Sequence, residues 1–194
     1  RFTLKSLGIR LKSPNSAAFA NYARKALCEH PEILSRVAPA LAALDGLNAS
    51  VKEYDRQIET TSRGKYPETA KLRQIAGVGP ITALCFVLTM EEAGKFESAR
   101  DVGPYLGLVP RRDQSGNTDK QLPISKTGNA HLRKLLVQCA QYILGYFGPD
   151  CDLRRQGLKL AARGGKAAKK KAIIAIARKL AVVMLALQRS GDDY

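Results

Sequence analysis

The sequence has no tryptophan, and Phe, Tyr and Trp together make up 6% of its residues. It has only two histidines, and its four cysteines include no Cys-x-x-Cys pair. Such sparse ligands argue against a metal site, and cysteines spaced so widely argue against a disulfide-stabilised secreted domain. We therefore expect reduced thiols, no bound metal and a cytoplasmic location.

Long apolar segments are also missing. No apolar run approaches the roughly 20 residues that a membrane-spanning helix needs. The most apolar stretch, 172–187, is interrupted by Arg178 and Lys179. The N-terminus shows no signal-peptide pattern. From these absences we expect no association with membranes. Because the chain begins with Arg rather than Met, we also expect it to be a piece of a longer protein.

Acidic residues are in short supply. The chain has 17 Asp and Glu against 32 Lys and Arg, a formal net charge of +15. Such an excess predicts a polyanionic partner, most often nucleic acid. A membrane surface is the competing partner, but the lack of tryptophan speaks against it. On charge alone, a general cationic protein of the ribosomal type remains open.

The first third of the chain predicts a long helix, from Ile33 to Thr60. Its apolar positions lie three or four residues apart, close to a heptad repeat, at Leu41, Leu44, Leu47, Val51, Tyr54 and Ile58. The pattern fits an arm that pairs with a second helix, and equally an amphipathic helix packed on its own domain. A polar break at 62–66 divides the chain into a helical, coiled-coil-like arm (1–63) and a C-terminal domain (64–194).

A glycine-rich turn opens the C-terminal domain at Gly77-Val78-Gly79-Pro80. Two glycines permit a tight turn, and Pro80 suits the first position of a helix. The segment resembles a helix-hairpin-helix motif, in which backbone amides at the second helix bind a DNA phosphate. A plain turn between two helices remains the alternative.

Helical periodicity continues on both sides of one long irregular segment. We predict helices at 80–90, 129–144, 150–163 and 166–189, with the first of them buried on nearly all sides. A Ser98–Asp101 capping box predicts a short helix to Leu106, and Gly191 the end of the last helix. Segment 107–126 is predicted to form an irregular or β-hairpin insert. The predicted class is all-α, with this insert and the preceding helical arm.

Cations gather around this insert and in the last quarter of the chain. Between 154 and 179 there are ten Lys and Arg and no acid, which favours phosphate contact over mere solubility. Asn129 suits a helix N-cap better than base recognition. The predicted nucleic-acid contacts are Gly77, Gly79, Arg111, Arg112, Lys120, Lys126, Asn129, Arg133, Lys134, Lys169 and Lys170.

Four motifs occur in order: GVGP, YLGLVP, QSG and ISKTGNAHLR. Together they resemble the C-terminal region of bacterial insertion-sequence transposases of the one-ten/one-sixteen/nine-oh-two group, also described as bridge-RNA-guided recombinases. The resemblance covers about 70–190. It implies a DNA transposase whose C-terminal domain carries a serine that attacks a DNA phosphodiester and forms a 5′-phosphoserine intermediate. Ser115 stands at the position of that nucleophile.

The resemblance also implies partners and a cofactor. DNA and a guide RNA would be bound, and a homo-oligomer would form through the arm. Mg²⁺ is implied for the full-length enzyme but no cofactor for this part, which lacks the family's carboxylate-bearing domain, so cleavage by it alone is not expected.

From the residues alone, without the resemblance, Ser115 fits a turn serine that bonds its own backbone better than a nucleophile. Ser125 is the second candidate nucleophile, and no general base is evident nearby. His131 fits a local cap better than a phosphate ligand. The competing function is a non-catalytic helix-hairpin-helix module that only binds nucleic acid.

Overall fold

The computed structural model describes residues 2–6, 8–11, 15–115 and 118–194. Two strands, β1 (Pro110–Ser115) and β2 (Thr118–Ile124), form an antiparallel hairpin. The α-helices are α1 (Phe2–Ser6), α2 (Ser16–Ala26), α3 (Pro31–Lys65), α4 (Thr69–Leu72), α5 (Pro80–Met90), α6 (Val102–Tyr105), α7 (Ala130–Leu144), α8 (Asp152–Ala161) and α9 (Gly165–Ser190). Two short 3₁₀ helices, Ala93–Lys95 and Ala99–Asp101, lie between α5 and α6. The predicted class, helical with a β-hairpin insert, is confirmed.

The chain divides into two compact units, 1–57 and 58–194. The break predicted at 62–66 begins only after Lys65, because the polar stretch continues the helix. Ser62 is fully buried there. An ion pair of 2.8 Å between Glu59 and Arg63, four residues apart, also supports the helix.

In the first unit, α2 packs against the first half of α3. Asn15 caps α2 by accepting from the Ala18 amide at 2.8 Å, and Ala20 packs against Leu41. Farther along α3 the apolar seam is exposed: at Leu47, Val51 and Tyr54. The sequence therefore predicted the helix correctly, and its first half matches the packed alternative.

The core of the second unit lies between α7 and α9. Helix α9 also contacts α4, α6 and α8. Apolar residues at helical spacing supply it, and the following are fully buried: Leu132, Leu136, Ala140, Ile143, Ala177, Leu180, Ala181, Met184 and Leu185. Helix α9 ends at Gly191, whose φ of +71° is left-handed, as predicted. Such a residue ends a helix by redirecting the chain.

Helix α5 differs from its prediction. Its apolar residues were expected to be buried on nearly all sides, yet among the described elements only α4 and α7 contact it closely. Phe86 and Met90 are fully buried, whereas Ile81 and Leu88 are 43% and 48% exposed. The helix therefore presents an apolar strip to solvent.

Candidate functional site

Ser115 is the last residue of β1 and pairs with Thr118, the first residue of β2. It therefore lies at the end of the hairpin, and it is exposed. Gly116, the last residue of the Gln-Ser-Gly motif, and Asn117 lie outside the described residues. The structure thus presents the predicted serine on a projecting element.

The pairing register assigns side chains to the two faces of the hairpin. Asp113 pairs with Lys120, and Arg112 with Gln121. Because side chains alternate along a strand and paired residues share a face, Ser115 shares a face with Asp113 and Lys120. Arg112 lies on the opposite face.

The other cations predicted to surround Ser115 lie farther along the hairpin. The register is interrupted between Pro110 and Arg112, so Arg111 is opposite a bulge. Lys126 follows the end of β2, eight residues beyond Thr118, and lies roughly 26 Å from the tip at about 3.3 Å per strand residue. The cations predicted around Ser115 are therefore distributed over both faces and both ends. Lys120 shares the face of Ser115 near the tip, and alternation along β1 places Arg111 on that face near the root.

A backbone clamp holds the base of the hairpin. The Ser125 amide donates to Val109 O at 2.9 Å, and the Lys126 amide to Gly107 O at 3.1 Å. Gly107 has a φ of +65°, and a Cβ there would lie 2.6 Å from Thr127 O. The YLGLVP and ISKTGN motifs are therefore pressed together, which fixes the root of the strands that carry Ser115.

The clamp continues into α7. Asn129 caps this helix, as predicted, by accepting from the His131 and Leu132 amides at 2.9 and 3.1 Å. Its side-chain amide also donates to Thr89 Oγ1 at 3.1 Å. Arg133 donates to Leu106 O at 3.0 Å and Thr127 O at 2.7 Å. Both predicted nucleic-acid contacts thus already hold the protein's own backbone together.

Neighbouring side chains show which groups are accessible. Ser125 is half-buried, and its hydroxyl lies 3.2 Å from that of Thr127, so it is less available than Ser115. His131 and Lys134 are exposed on the first turn of α7. Lys126 is also exposed, and its φ is +60°.

The Gly77–Gly79 turn packs against α7. Gly77 has a φ of +83°, and a Cβ there would lie 3.0 Å from Tyr142 Cδ1, so the position requires glycine. Gly79 is the N-cap of α5, and Pro80 begins the helix. The first-turn amides of such a helix have no intrahelical acceptor and suit an anion. The preceding helix, α4, has only four residues.

The basic segment 154–179 splits into two groups. Arg154 donates to Gly145 O at 2.6 Å, and Arg155 pairs with Asp150 and Asp152, both at 2.7 Å. Lys179 bonds Gln156. Among the described residues, no acidic partner lies within ion-pair distance of the remaining exposed group: Lys159, Arg163, Lys166, Lys169, Lys170, Lys171 and Arg178. This group, not the whole segment, is available for phosphate.

Sequence reasoning missed two features of this site. Arg154 has a structural task, because it caps the C-terminal carbonyls of α7. Asp113 shares the face of Ser115. The alternation of side chains along a strand would have indicated this if the insert had been predicted as a hairpin with a known register.

Magnesium needs oxygen ligands that converge. Within the described residues, no group of three His, Cys, Asp or Glu side chains is close enough together to hold a metal ion. Likewise, no described helix is both long and apolar enough to span a bilayer.

Comparison with known proteins identifies the region around this site. Residues 69–151 match the IS116/IS110/IS902 transposase family. This region of the chain is thus similar to the IS116/IS110/IS902 transposases. The predicted resemblance is confirmed, and the match includes the hairpin, its clamp and α7. Helix α9 lies beyond the matched residues.

Individual relatives agree with this assignment. The chain is 29% identical over 168 residues to the transposase for insertion sequence element IS1111A of Coxiella burnetii, covering 86% of this chain and 42% of the relative. It is 43% identical over 75 residues to the transposase for insertion sequence element IS1328 of Yersinia enterocolitica, covering 38% and 22%. The pilin gene-inverting protein of Moraxella lacunata is 32% identical over 124 residues, covering 63% and 37%. The chain thus spans less than half the length of these three relatives.

Proposed function

We propose that this chain is the part of a DNA transposase or site-specific recombinase that supplies a serine nucleophile, Ser115. The observation that carries the proposal is the position of this serine. It is exposed at the end of a hairpin whose base is fixed by main-chain hydrogen bonds. A nucleophile must reach a phosphodiester and still be held in a defined geometry, and a projecting, anchored strand meets both needs.

The proposed reaction is a transesterification at phosphorus. Ser115 Oγ attacks, the new Oγ–P bond forms, and the bond from phosphorus to the DNA 3′ oxygen breaks. The serine proton goes to a base, and the departing 3′ oxygen takes up a proton. The products are a 5′-phosphoserine and a free 3′ hydroxyl. Attack by the 3′ hydroxyl of another strand on the phosphoserine reverses these steps and joins the strands.

Lys120 is proposed to stabilise the charge that develops on the phosphoryl oxygens, because it shares the face of Ser115. Cationic groups placed where charge develops are among the larger contributors to such rates. Asp113, its cross-strand partner, would orient the ammonium group. We propose that the general base comes from the remainder of the full-length protein.

DNA and guide RNA are the proposed partners. The exposed cations of α8 and α9 and the first-turn amides of α5 would contact phosphates without reading bases. A DNA partner also places the protein in the bacterial cytoplasm. Binding of this kind weakens steeply with salt, unlike binding by a scaffold that recognises another protein.

A homo-oligomer through α3 is part of the proposal. Leu47, Val51 and Tyr54 are each more than half exposed and follow the heptad spacing, so a second helix would cover them. Strand exchange requires several cleavages, which two copies of the serine would perform.

The decisive experiment replaces Ser115 by Ala in the full-length transposase. We expect loss of the covalent protein–DNA adduct and a fall in strand transfer of at least about 1,000-fold, since removal of a nucleophile typically costs that much or more. DNA affinity should stay within about twofold. Ser125→Ala is the matched control and should retain the adduct. An adduct that survives Ser115→Ala would favour the non-catalytic helix-hairpin-helix module.

A second pair of variants tests the assignment of faces. Lys120→Ala should lower the rate of adduct formation by about 100-fold, within the range for one lost charge-stabilising group. Arg112→Ala removes a cation from the opposite face and should change that rate less than about fivefold. Single-turnover adduct formation at saturating DNA measures both. Equal effects of the two variants would contradict the proposed role of Lys120.

A further inference from the structure

A crevice lies between the root of the hairpin and α9, with a volume of about 560 Å³. Pro110, Leu122 and Pro123 line its hairpin side, and Ile174 and Ala175 its helix side. The crevice is thus apolar at its centre. Its volume falls within the range of sites that bind small organic groups.

The irregular register of the hairpin shapes this crevice. Pro110 pairs with Ile124 and Arg112 with Gln121, so Leu122 and Pro123 together stand opposite Arg111. Such a bulge redirects side chains and accommodates a proline within a strand. It brings both residues to the crevice facing α9.

The rim of the crevice is cationic. Lys170, Lys171 and Arg178 line it, and none of the lining residues is acidic. The Arg178 side chain passes close to Gly103, since a Cβ there would lie 3.2 Å from Arg178 Cγ. An apolar centre with three cations at the edge complements a group that is apolar in its middle and anionic at its ends.

We propose that this crevice binds an unpaired deoxynucleotide of the DNA strand on which Ser115 acts. The base would lie against the two prolines and the aliphatic side chains, and its flanking phosphates would contact the rim. Flipped-out bases are held between apolar side chains in this way. A paired base is stacked within the duplex, so duplex DNA would offer the rim its phosphates and leave the apolar centre empty.

The position of the crevice favours DNA over RNA as the occupant. The same hairpin carries Ser115, and this inference rests on the proposed function, in which Ser115 is the nucleophile toward DNA. Five residues separate Pro110 from Ser115, a span of about 17 Å along a strand. That span corresponds to about five nucleotides at ~3.4 Å per step. The unpaired nucleotide would therefore lie about five positions from the phosphate that is attacked.

The test fills the crevice without changing its charge. Ala175→Trp places an indole in it, and Ala186→Trp adds the same group to an exposed position of the same helix outside the lining. Affinities of the full chain for fluorescent dT12, rU12 and a 12-base-pair duplex are measured by anisotropy. We expect Ala175→Trp to weaken dT12 binding at least tenfold and duplex binding less than twofold, and Ala186→Trp to change neither.

Three results would overturn the proposal. The first is an unchanged affinity of Ala175→Trp for dT12, and the second is an equal loss of its affinity for the duplex. The third is a wild-type protein that binds rU12 more tightly than dT12, together with an Ala175→Trp variant that loses affinity for rU12 and not for dT12. If circular dichroism shows that Ala175→Trp is not folded, the double variant Lys170→Gln/Lys171→Gln tests the proposal instead. This variant should lower the salt slope of dT12 binding by about 1.4, since each phosphate contact on a single strand contributes about 0.7. An unchanged slope would overturn the proposal.

Failure of the crevice and failure of the proposed nucleophile are distinguishable. Ser115→Ala should leave dT12 affinity unchanged while it removes the covalent adduct. Ala175→Trp should weaken dT12 binding at least tenfold, whether or not the Ser115 hydroxyl is present.

Discussion

Replacement of Gly128 by Ala tests whether the clamp positions the hairpin. Gly128 has a φ of +70°, and a Cβ there would overlap the Tyr105 carbonyl oxygen and lie 3.4 Å from Leu106 Cα. Backbone cannot give way as the end of a flexible side chain can. The overlap should therefore separate the two motifs and break the 3.1 Å hydrogen bond from the Lys126 amide to Gly107 O.

The expected loss has two parts. A left-handed conformation costs an L-residue roughly 1–2 kcal/mol. The loss of one or two clamp hydrogen bonds adds about 0.5–1.5 kcal/mol each. Gly128→Ala should thus lower the free energy of unfolding by about 2–4 kcal/mol. Because the clamp also holds the strands of Ser115, strand transfer should fall as well.

Gly191 provides the matched control. Its φ is +71°, and the nearest atom to an added Cβ is Lys71 Nζ at 3.9 Å. Gly191→Ala therefore carries the conformational cost without the overlap and should lower the free energy of unfolding by only about 1–2 kcal/mol. The difference between the two variants measures the close approach of the two motifs.

Urea unfolding followed by circular dichroism measures both variants, and amide hydrogen exchange localises the effect. In Gly128→Ala, the amides of Ser125 and Lys126 should exchange faster, because these two donate across the clamp. Equal losses in the two glycine variants, or unchanged exchange at both amides, would refute a clamp formed by close backbone contact.

Two further predictions concern titratable groups. The hydrogen bond from Arg73, at 2.9 Å, lowers the pKa of Glu59 below its usual 4.5. Arg73→Gln should therefore destabilise the protein at pH 7, and the difference in urea midpoint should shrink as the pH falls through the lowered pKa of Glu59. A pH-independent difference would contradict this. Burial raises the pKa of the Cys139 thiol, whereas Cys28 is exposed. Iodoacetamide at pH 8 should therefore alkylate Cys28 at least about tenfold faster, and equal rates in the folded protein would contradict that burial.

The pH dependence at Glu59 follows from the direction of its shift. A carboxylate whose pKa is lower in the folded state stabilises the fold above its unfolded pKa, and loses that contribution as the pH falls through the folded value. In Arg73→Gln the main cause of the shift is removed, so less of that contribution is present at pH 7. At low pH Glu59 is protonated in both proteins, and the two should then converge.

Local signals explain why most of the secondary structure could be predicted. Asn129 caps α7, Ser98 forms its capping box with Asp101, and Gly191 ends α9, all from interactions within four residues. The helical break at 62–66 was predicted wrongly. There the polar residues suggested a loop, but the helix continues to Lys65 and is supported by the ion pair between Glu59 and Arg63, one turn apart.

The roles of individual cations could not be predicted in the same way. Arg133 and Arg154 look like phosphate ligands in a basic sequence, yet both donate to main-chain carbonyls of the folded protein. Those acceptors lie 27 and 9 residues away along the chain. The sequence shows how many cationic residues there are, but not which of them already donate hydrogen bonds within the folded protein.

The amino-acid sequence by itself determined the helices, the position of the hairpin, the strong positive charge and the relationship to a transposase family, since each depends on residues near one another or on a motif order. Only the tertiary structure decided the face that Ser115 shares with Lys120, the cations left available for phosphate, and the apolar crevice against α9. These depend on strand register and on contacts between distant segments. Such contacts form only once burial of the core has brought α7, α9 and the hairpin root together.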